Sequence, residues 1–442
     1  MRRNRPTNID SYRQAGLADL AERREPGETE RAVLVGVQLD RARRTEVDDH
    51  LGELAQLART AGADVVHQQV FRRDKPTPAH YIGKGHVEQL RQLCRESRAD
   101  LVIFDDDLSP AQQRNVEGVV QKKVIDRTEI ILDIFAQRAR TKEAKLQIEL
   151  AQLWHLLPRL TRRWTHLSRQ PGEIGTRGPG ETQLEMDRRR VKERIHRLNL
   201  EITSVRTHRA TQRKARKKGA GQTASLIGYT NAGKSTLLNA LTQAGVTVED
   251  KLFTTLDPTT RKLLLPNHQV VFLSDTVGFI RKLPHHLIDS FRATFEEVTE
   301  ADLLIHVLDV SDPRADERSQ NVYEVLREIA CAEKPTITVL NKIDRLKGPS
   351  PVERFRRSHL NCVPMSAKES VGLDEFTRQL ERLLAELLVM VHLRIPQSES
   401  RFVSRIHAEG NVISKEYEGN DVLLWAELPA KLAATVRDFV ED

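Results

Sequence analysis

Gly228-Tyr229-Thr230-Asn231-Ala232-Gly233-Lys234-Ser235 decides the fold of the second half of this 442-residue chain. Its spacing, G-x-x-x-x-G-K-S, follows the apolar run Ala224 to Ile227 and precedes a helical pattern that begins at Thr236. The glycines allow backbone N–H groups to close around a polyphosphate, Lys234 is placed to reach the outer phosphates, and Ser235 can offer its hydroxyl to Mg²⁺. A strand, this loop and a helix in that order indicate a P-loop nucleotide-binding domain rather than a chance glycine-rich turn.

A second motif selects guanine over adenine. Asn341-Lys342-Ile343-Asp344 follows an apolar strand pattern and has the N-K-x-D spacing typical of guanine-specific GTPases. The Asp344 carboxylate can accept from guanine N1–H and from the 2-amino group, and adenine has neither donor. Ser366-Ala367-Lys368 matches the S-A-K element that supports the base. The bound nucleotide is therefore predicted to be GTP or GDP.

Two further motifs predict the metal and the switches. Asp275-Thr276-Val277-Gly278 has the D-x-x-G spacing, in which Asp275 would hold Mg²⁺ through water and the Gly278 N–H would sense the γ-phosphate. Phe253-Thr254-Thr255 supplies Thr255 as the switch threonine on Mg²⁺. The predicted metal set is Ser235, Thr255 and Asp275, and the predicted catalytic set is Lys234, Thr255, Gly278 and Asn231. The remaining predicted nucleotide contacts include Gly228, Tyr229, Thr230, Ala232, Gly233, Thr236, Phe253, Thr254 and Thr276.

The net charge of +7 is unevenly distributed along the chain. Residues 154–218 contain 18 Lys+Arg and 6 Asp+Glu, a net of +12, which leaves 52 Lys+Arg and 57 Asp+Glu, a net of −5, for the remainder. This localisation favours a polyanion-binding element over a merely solvated surface.

We find no apolar run long enough to span a membrane and no signal region after the basic N-terminus. Three scattered cysteines fit a reducing cytoplasm.

The pattern of the chain predicts an α/β fold class with several domains. After a flexible N-terminus (1–28), alternating strands and helices predict a parallel α/β domain over 29–140. Its acidic loop, Asp105-Asp106-Asp107, could hold a metal, but no partner ligands are visible and we interpret it as solvated. A P-loop GTPase domain is predicted over 222–388. A small α+β domain follows over 393–442, interpreted as an accessory packing domain.

Between the two α/β domains, residues 141–218 are predicted to form a basic antiparallel helical hairpin. Leucines from Leu146 to Leu160 are spaced 4, 3, 4, 3. The apolar residues from Leu184 to Val205 repeat that spacing after one step of seven residues, and Pro158 should kink or end the first helix. The Gly/Pro-rich stretch 168–181 is the predicted irregular tip. Trp154 and Trp164 are interpreted as core anchors rather than RNA stackers. The predicted RNA-binding residues are Arg169 and Arg177 at the tip and Arg213, Lys214, Arg216 and Lys217 near the end of the second helix.

The chain from about residue 28 to 440 resembles the HflX family of ribosome-associated GTPases. The resemblance rests on F-T-T-L-D-P-T (253–259), D-T-V-G-F-I (275–280), Y-I-G-K-G (81–85), the segment 104–110 and above all G-T-R-G-P-G-E-T-Q-L-E (175–185). It implies binding to the large (50S) ribosomal subunit, with the tip entering the peptidyl-transferase region of 23S rRNA. It also implies dissociation or rescue of stalled ribosomes under stress. Residues 171–174 read P-G-E-I where the family usually has G-G-I, which changes the shape or charge of the tip.

Phe279 stands where many GTPases place the glutamine that orients the attacking water, so we expect slow intrinsic hydrolysis. The ribosome could order the switches, or K⁺ beside Asn231 could supply transition-state charge; alternatively, Asn231 only braces the loop. A second hypothesis is an RNA-binding or assembly factor timed by slow hydrolysis. An additional ATP-driven remodelling activity is a third, although Gly83-Lys84-Gly85 is too short to be a phosphate loop. We expect a cytoplasmic monomer.

Overall fold

The structure is a computed structural model that describes residues 29–39, 43–162, 179–217, 222–242, 252–267, 269–282, 292–348, 350–359 and 361–441. The chain divides into two compact units, Met1–Ile131 and Leu132–Asp442. No helix within the described ranges is long and apolar enough to cross a membrane. The α/β fold class predicted from the sequence is confirmed in both units.

The first unit is built on a four-stranded parallel sheet with the strand order β2-β1-β3-β4. Its elements are β1 (Arg31–Leu39), α1 (Arg44–Ala61), β2 (Asp64–Arg73), α2 (Lys84–Glu96), β3 (Leu101–Phe104), α3 (Pro110–Val120) and β4 (Lys123–Asp126), and α4 (Arg127–Arg138) leads into the second unit. Consecutive residues of the central strands β1 and β3 are buried, as expected of a parallel sheet that is covered on both faces. The predicted alternation of strands and helices is confirmed, and α4 is an element that the sequence reading missed.

The acidic loop after β3 corrects one interpretation, because its first residue is buried rather than solvated. The carboxylate of Asp105 accepts a hydrogen bond from the Arg127 guanidinium at 2.8 Å, and Glu53 accepts from another nitrogen of the same group. Arg127 is only 1% exposed, so its charge is desolvated and needs both carboxylates. The loop therefore holds an arginine side chain. No group of three or more His, Cys, Asp or Glu in the described ranges could hold a metal ion.

The second unit begins with two long helices, α5 (Lys142–Leu156) and α6 (Pro179–Lys217), that pack on each other through the predicted leucine positions. Their shared core consists of Leu146, Leu150, Ile195, Leu198 and Ile202, surrounded by Leu153, Leu157, Val191 and Val205. Arg194 of α6 binds Glu149 of α5 through two hydrogen bonds of 2.8 and 2.9 Å. The α-helical part of α5 ends at Leu156 and continues as a 3₁₀ turn, in accord with Pro158.

Trp154 is 47% exposed, so its interpretation as a core anchor is wrong. Its place in the sequence suggested burial because leucines flank it, but it lies off the apolar seam that they form. Trp164, most of the predicted tip, Arg169 and Arg177 lie outside the described residues.

The GTPase domain contains a six-stranded sheet with the order β10-β9-β8-β5-β7-β6, in which β6 is antiparallel to β7. Its strands are β5 (Gln222–Ile227), β6 (Thr259–Leu264), β7 (Val270–Asp275), β8 (Leu303–Asp309), β9 (Thr336–Asn341) and β10 (Cys362–Pro364). Its helices are α7 (Lys234–Thr242), α8 (Arg292–Glu300), α9 (Ala315–Glu328), α10 (Ser350–Ser358) and α11 (Leu373–Glu386). Because parallel strands end at the same edge, the motifs that follow β5, β7, β9 and β10 meet there.

The C-terminal part is an antiparallel sheet of three strands in the order β11-β13-β12, packed on short helices. Its elements are β11 (Leu388–Pro396), α12 (Ser400–Glu409), β12 (Asn411–Glu418), β13 (Asp421–Pro429) and α13 (Ala430–Thr435). The sequence predicts strands over 412–417 and 422–428 and a helix over 430–440 in this domain. Both strands are confirmed as β12 and β13, the helix is shorter than predicted, and β11 and α12 were not predicted. β11 spans the boundary predicted between the GTPase domain and the C-terminal domain, and that domain division stays a prediction.

Candidate functional site

The loop between β5 and α7 has the backbone shape of a phosphate cradle. Gly228 has φ 146°, and a Cβ at this position would approach the carbonyl oxygen of Val307 to 2.3 Å. Gly233 has φ 99°, and a Cβ there would lie 2.3 Å from Asn341 Nδ2. Asn231, between them, has φ 61°, a left-handed conformation that asparagine tolerates better than most residues. Both glycines of the motif are therefore sterically required.

The ammonium group of Lys234 points back into this loop. It donates to the carbonyl oxygen of Gly228 at 3.1 Å and to that of Tyr229 at 2.9 Å. Burial lowers the pKa of Lys234 to about 8, and the nearby Asp275 carboxylate opposes this shift. A Cβ at Gly278 would lie 2.9 Å from Nζ, so the D-x-x-G glycine passes directly beside the lysine. The two residues predicted to face the γ-phosphate, Lys234 and Gly278, therefore lie side by side.

The three predicted metal ligands lie close together in the structure. They are Ser235, Thr255 and Asp275. Both hydroxyls donate to Asp275 Oδ2, at 2.6 Å from Ser235 and 2.9 Å from Thr255, and the hydroxyls are 2.8 Å apart. Asp275 Oδ1 is buried and has no hydrogen-bond partner among the described residues. Burial raises the pKa of Asp275, an effect that the Lys234 charge opposes. Two hydroxyls and a carboxylate with an unsatisfied oxygen fit a hard divalent cation.

Asn341 connects the two guanine-selective motifs to each other and to the phosphate loop. Asn341 Nδ2 donates to the carbonyl of Ala232 at 2.8 Å, and its Oδ1 accepts from the Ala367 N–H at 3.0 Å. Asp344 accepts from the Ser366 hydroxyl at 2.6 Å, and this hydrogen bond lowers the pKa of the Asp344 carboxyl. Asp344 itself is exposed, so its carboxylate is ionised and accessible to a base.

The two lysines of these motifs differ in their surroundings. Lys342 has φ 65°, donates to the carbonyl of Asn231 at 2.8 Å and pairs with Asp309 at 2.7 Å. Lys342 therefore braces the phosphate loop from the base side. Lys368 is 76% exposed and pairs only loosely with Glu369, at 3.4 Å. Its aliphatic stem is available to cover a bound base.

An open cavity lies between the phosphate loop and the two switch segments. Every residue that lines it was predicted as a nucleotide contact. They are Thr230, Asn231, Gly233, Lys234, Ser235, Thr236, Phe253, Thr254, Thr255, Thr276 and Gly278.

Phe279 does not line this cavity. Its side chain is 2% exposed and stacks on Phe295, with ring centroids 5.7 Å apart and planes inclined by 5°. Its backbone forms a bridge to the phosphate loop, because the Thr230 N–H donates to the Phe279 carbonyl at 2.8 Å and the Phe279 N–H donates to Gly228 at 3.1 Å. The residue that replaces a glutamine thus belongs to the core and fixes the start of the second switch.

The basic hairpin supplies a separate cationic surface. Arg213, Lys214, Arg216 and Lys217 lie in the last turns of α6. The sequence reading missed an earlier group on the same helix, which surrounds an open groove and consists of Glu185, Arg188, Arg189, Lys192, Glu193, His196 and Arg197. Cationic residues at i and i+4, such as Arg188 and Lys192, were the available signal, because this spacing places them on one helix face.

Known proteins match the chain in three consecutive blocks. Residues 48–136 match the family described as GTP-binding GTPase N-terminal, residues 138–216 the GTP-binding GTPase middle region, and residues 223–342 the 50S ribosome-binding GTPase family. The GTPase HflX of Caldanaerobacter subterraneus subsp. tengcongensis is 45% identical over 412 residues, which cover 93% of this chain and 94% of that protein. This chain belongs to the HflX GTPase family. It is therefore a GTP-hydrolysing enzyme of the P-loop class.

Other HflX relatives agree over a similar length. The GTPase HflX of Escherichia coli K12 is 43% identical over 403 residues, which cover 90% of this chain and 94% of that protein. Among solved structures, a GTP-binding protein from the archaeon Sulfolobus solfataricus in complex with GDP aligns with a TM-score of 0.44 and 25% identity. The alignment covers 81% of this HflX chain and the whole of that chain.

Proposed function

We propose that this GTPase binds the large (50S) ribosomal subunit through its basic hairpin and splits or rescues stalled 70S ribosomes under stress. The observation that carries the proposal is the localisation of charge, a net of +12 over residues 154–218 against −5 elsewhere. A surface of that density suits a polyanion such as 23S rRNA. The description of the family matched by residues 223–342, a 50S ribosome-binding GTPase, supports the same partner. The proposed site of action is the cytoplasm, with the protein as a monomer.

In the proposed cycle, GTP occupies the cavity and the hairpin engages RNA. Lys234 would neutralise charge on the outer phosphates, and the Gly278 N–H would donate to the γ-phosphate. Bound Mg²⁺, held by Ser235, Thr255 and Asp275, would offset the charge that develops on the phosphate oxygens. Phe279 offers no hydrogen bond to water, so free hydrolysis is slow. Ordering of the switches on the ribosome would accelerate it, in this superfamily by ~10³ to 10⁵.

Cosedimentation tests the partner directly. The protein is mixed with purified 50S subunits or 70S ribosomes in the presence of GTP, GDP or a non-hydrolysable GTP analogue. We expect nucleotide-dependent binding to 50S and splitting of 70S with the analogue. Stable 50S binding without splitting would favour the assembly-factor alternative, and no binding to either particle contradicts the proposal. Arg177→Ala should weaken splitting while GTP binding by the free protein is retained.

The monovalent cation is a separate part of the proposal. K⁺ beside Asn231 would add positive charge near the transferred phosphoryl group. Asn231→Gly keeps the left-handed backbone of φ 61° and removes only the side chain. We expect the wild type to hydrolyse GTP faster in K⁺ than in Na⁺ and the variant to lose that difference. Equal wild-type rates in both salts, with and without ribosomes, would refute K⁺ activation.

A further inference from the structure

The first switch is anchored at two points to the segment that precedes α5, Phe135–Thr141, which we term the hairpin base. Phe253 is 2% exposed and meets Phe135 edge-on, with ring centroids 4.6 Å apart and planes inclined by 73°. Asp257 provides the second anchor. Its Oδ2 accepts from the backbone N–H groups of Arg140 at 3.0 Å and Thr141 at 3.1 Å, and its Oδ1 accepts from the Thr141 hydroxyl.

The second anchor is built into the start of α5. Thr141 is the N-cap of that helix, and its hydroxyl oxygen accepts from the Ala144 N–H at 3.2 Å. The hydroxyl proton is then free to be donated to Asp257. The first turn of a helix leaves N–H groups without partners and carries partial positive charge, which a carboxylate stabilises. Both oxygens of Asp257 are therefore committed to the start of the hairpin.

Thr255, a predicted metal ligand, lies between the anchors, two residues from each. Its hydroxyl is 2.8 Å from that of Ser235 and donates to Asp275 at 2.9 Å. Leu256, between Thr255 and Asp257, is 3% exposed. Only Leu256, which packs in the core, separates Thr255 from Asp257. A displacement of the Thr255 backbone therefore moves Asp257 or breaks its hydrogen bonds.

We infer that Asp257 is a positioning residue that acts through Thr255 and couples the state of the nucleotide to the start of α5. When bound GTP orders Thr255, the hydrogen bonds between Asp257 and the start of α5 are strengthened. Loss of the γ-phosphate weakens them. Coupling between two sites is reciprocal, so any partner that fixes the hairpin base also favours the ordered switch. This inference needs only the GTPase activity and holds whether or not the partner is the ribosome.

The chain offers a matched control in Asp302. Its carboxylate accepts from the Thr223 N–H at 2.9 Å and from the Thr223 hydroxyl at 2.8 Å, the same two kinds of bond that Asp257 makes. Thr223 belongs to β5, and neither residue lines the nucleotide cavity. Asp302→Ala therefore removes comparable hydrogen bonds without touching a switch.

The test compares the full-length wild type with Asp257→Ala, Asp257→Asn and Asp302→Ala. Hydrogen exchange is measured on the peptide spanning residues 138–150, with GDP and with a non-hydrolysable GTP analogue. We expect stronger protection with the analogue in the wild type and in Asp302→Ala, and no nucleotide-dependent difference in Asp257→Ala. The kcat of Asp257→Ala should fall about ten- to hundredfold with KM nearly unchanged, because Thr255 is misplaced while the other contacts remain.

Asp257→Asn is the test variant if the alanine variant does not fold. It keeps one acceptor oxygen at nearly the same volume, so its nucleotide-dependent difference in protection should be smaller than that of the wild type. The inference is overturned if a folded Asp257 variant shows the same nucleotide-dependent difference in protection as the wild type. It is also overturned if the wild type shows no such difference. All readings use the free protein, so failure of ribosome binding leaves this test unaffected.

Discussion

The proposed guanine-recognition residue is Asp344, whose exposed carboxylate accepts a hydrogen bond from the Ser366 hydroxyl at 2.6 Å. We expect Asp344→Asn to lower GTP affinity by about 100-fold or more, because an amide that faces two guanine donors can accept from only one. The same amide can donate to the C2 carbonyl of xanthine, so affinity for XTP should rise. Fluorescent-nucleotide titration measures both values.

Ser366→Ala is the companion variant, because it removes the orienting hydrogen bond and leaves the carboxylate. Its GTP affinity should fall only about tenfold, the value of one hydrogen bond to a charged group. Unchanged GTP affinity in Asp344→Asn would mean that the base is read elsewhere.

His306 makes stability depend on pH. It lies within β8 with no exposed surface, its ring meets Tyr323 edge-on at 5.5 Å, and neither ring nitrogen has a hydrogen-bond partner among the described residues. Burial, with smaller effects of His359 and Lys234, lowers the pKa of His306 to about 3 from its usual 6.5. The folded state thus keeps the imidazole neutral where the unfolded chain binds a proton.

Stability should therefore fall as the pH drops below 6.5, by about 1.4 kcal/mol per pH unit from this group alone, until the folded pKa is reached. His306→Leu should remove this contribution. As the pH is lowered from 7.5 to 5.5, we expect the free energy of unfolding of the variant to rise relative to that of the wild type, as measured by urea unfolding. A constant difference between the two proteins across that range would show that His306 does not titrate on unfolding.

Phe279→Gln should not create a fast GTPase, although it restores the residue type that orients water elsewhere. The side chain stacks on Phe295 in the core and does not line the cavity. We expect a loss of about 2–4 kcal/mol in unfolding free energy and no gain in kcat. Phe279→Leu, which keeps the position apolar, is the control. A Gln variant that hydrolyses GTP tenfold faster than the wild type would contradict this assignment.

At this scale the sequence predicted the shape of the phosphate loop, because fixed spacing within a motif implies fixed local geometry. The roles of the converging side chains as cation ligands and base contacts stay predictions. It did not predict the role of Asp105, because its partners Arg127 and Glu53 are far away in sequence. Nor did it predict the exposure of Trp154, since leucine spacing shows which residues form a seam but not how far an aromatic neighbour reaches out of it.

Among the elements, the hairpin formed by α5 and α6 depends on a thin apolar seam. Leu198 is fully buried in it, whereas Leu200, on the same helix, is 59% exposed. We expect Leu198→Ala to cost about 2–5 kcal/mol and Leu200→Ala almost nothing. In the Leu198 variant, hydrogen exchange should show a loss of protection in α5 and α6 and no loss in the phosphate loop. Equal effects of the two variants would contradict the assigned seam.

Elements with a sustained periodic pattern were predictable from the sequence. The leucine repeats predicted the two hairpin helices, which are observed as α5 and α6. β11 has nine residues, as many as β1, and was missed because the predicted boundary between the GTPase domain and the C-terminal domain falls within it. The start of α4 was hidden for another reason, since Arg127, its first residue, is charged and yet buried.

At the scale of the whole molecule, charge position rather than net charge should control binding to RNA. Arg188→Glu with Lys192→Glu removes two cations and adds two anions on the exposed face of α6. Arg378→Glu with Arg382→Glu makes the same change at the same spacing on α11. We expect the first pair to weaken 50S binding and flatten its dependence on salt, because fewer phosphate-bound counterions are displaced. The second pair should bind like the wild type, and equal losses in both would refute a hairpin interface.

The position of Lys234 has a consequence for how the enzyme is reset after each turnover. Its ammonium group has two carbonyl partners within its own loop, so departure of GDP does not leave a bare buried cation. An emptied site of this kind is tolerable without a helper protein to stabilise it. We therefore expect reloading from free nucleotide to follow the ratio of GTP to GDP.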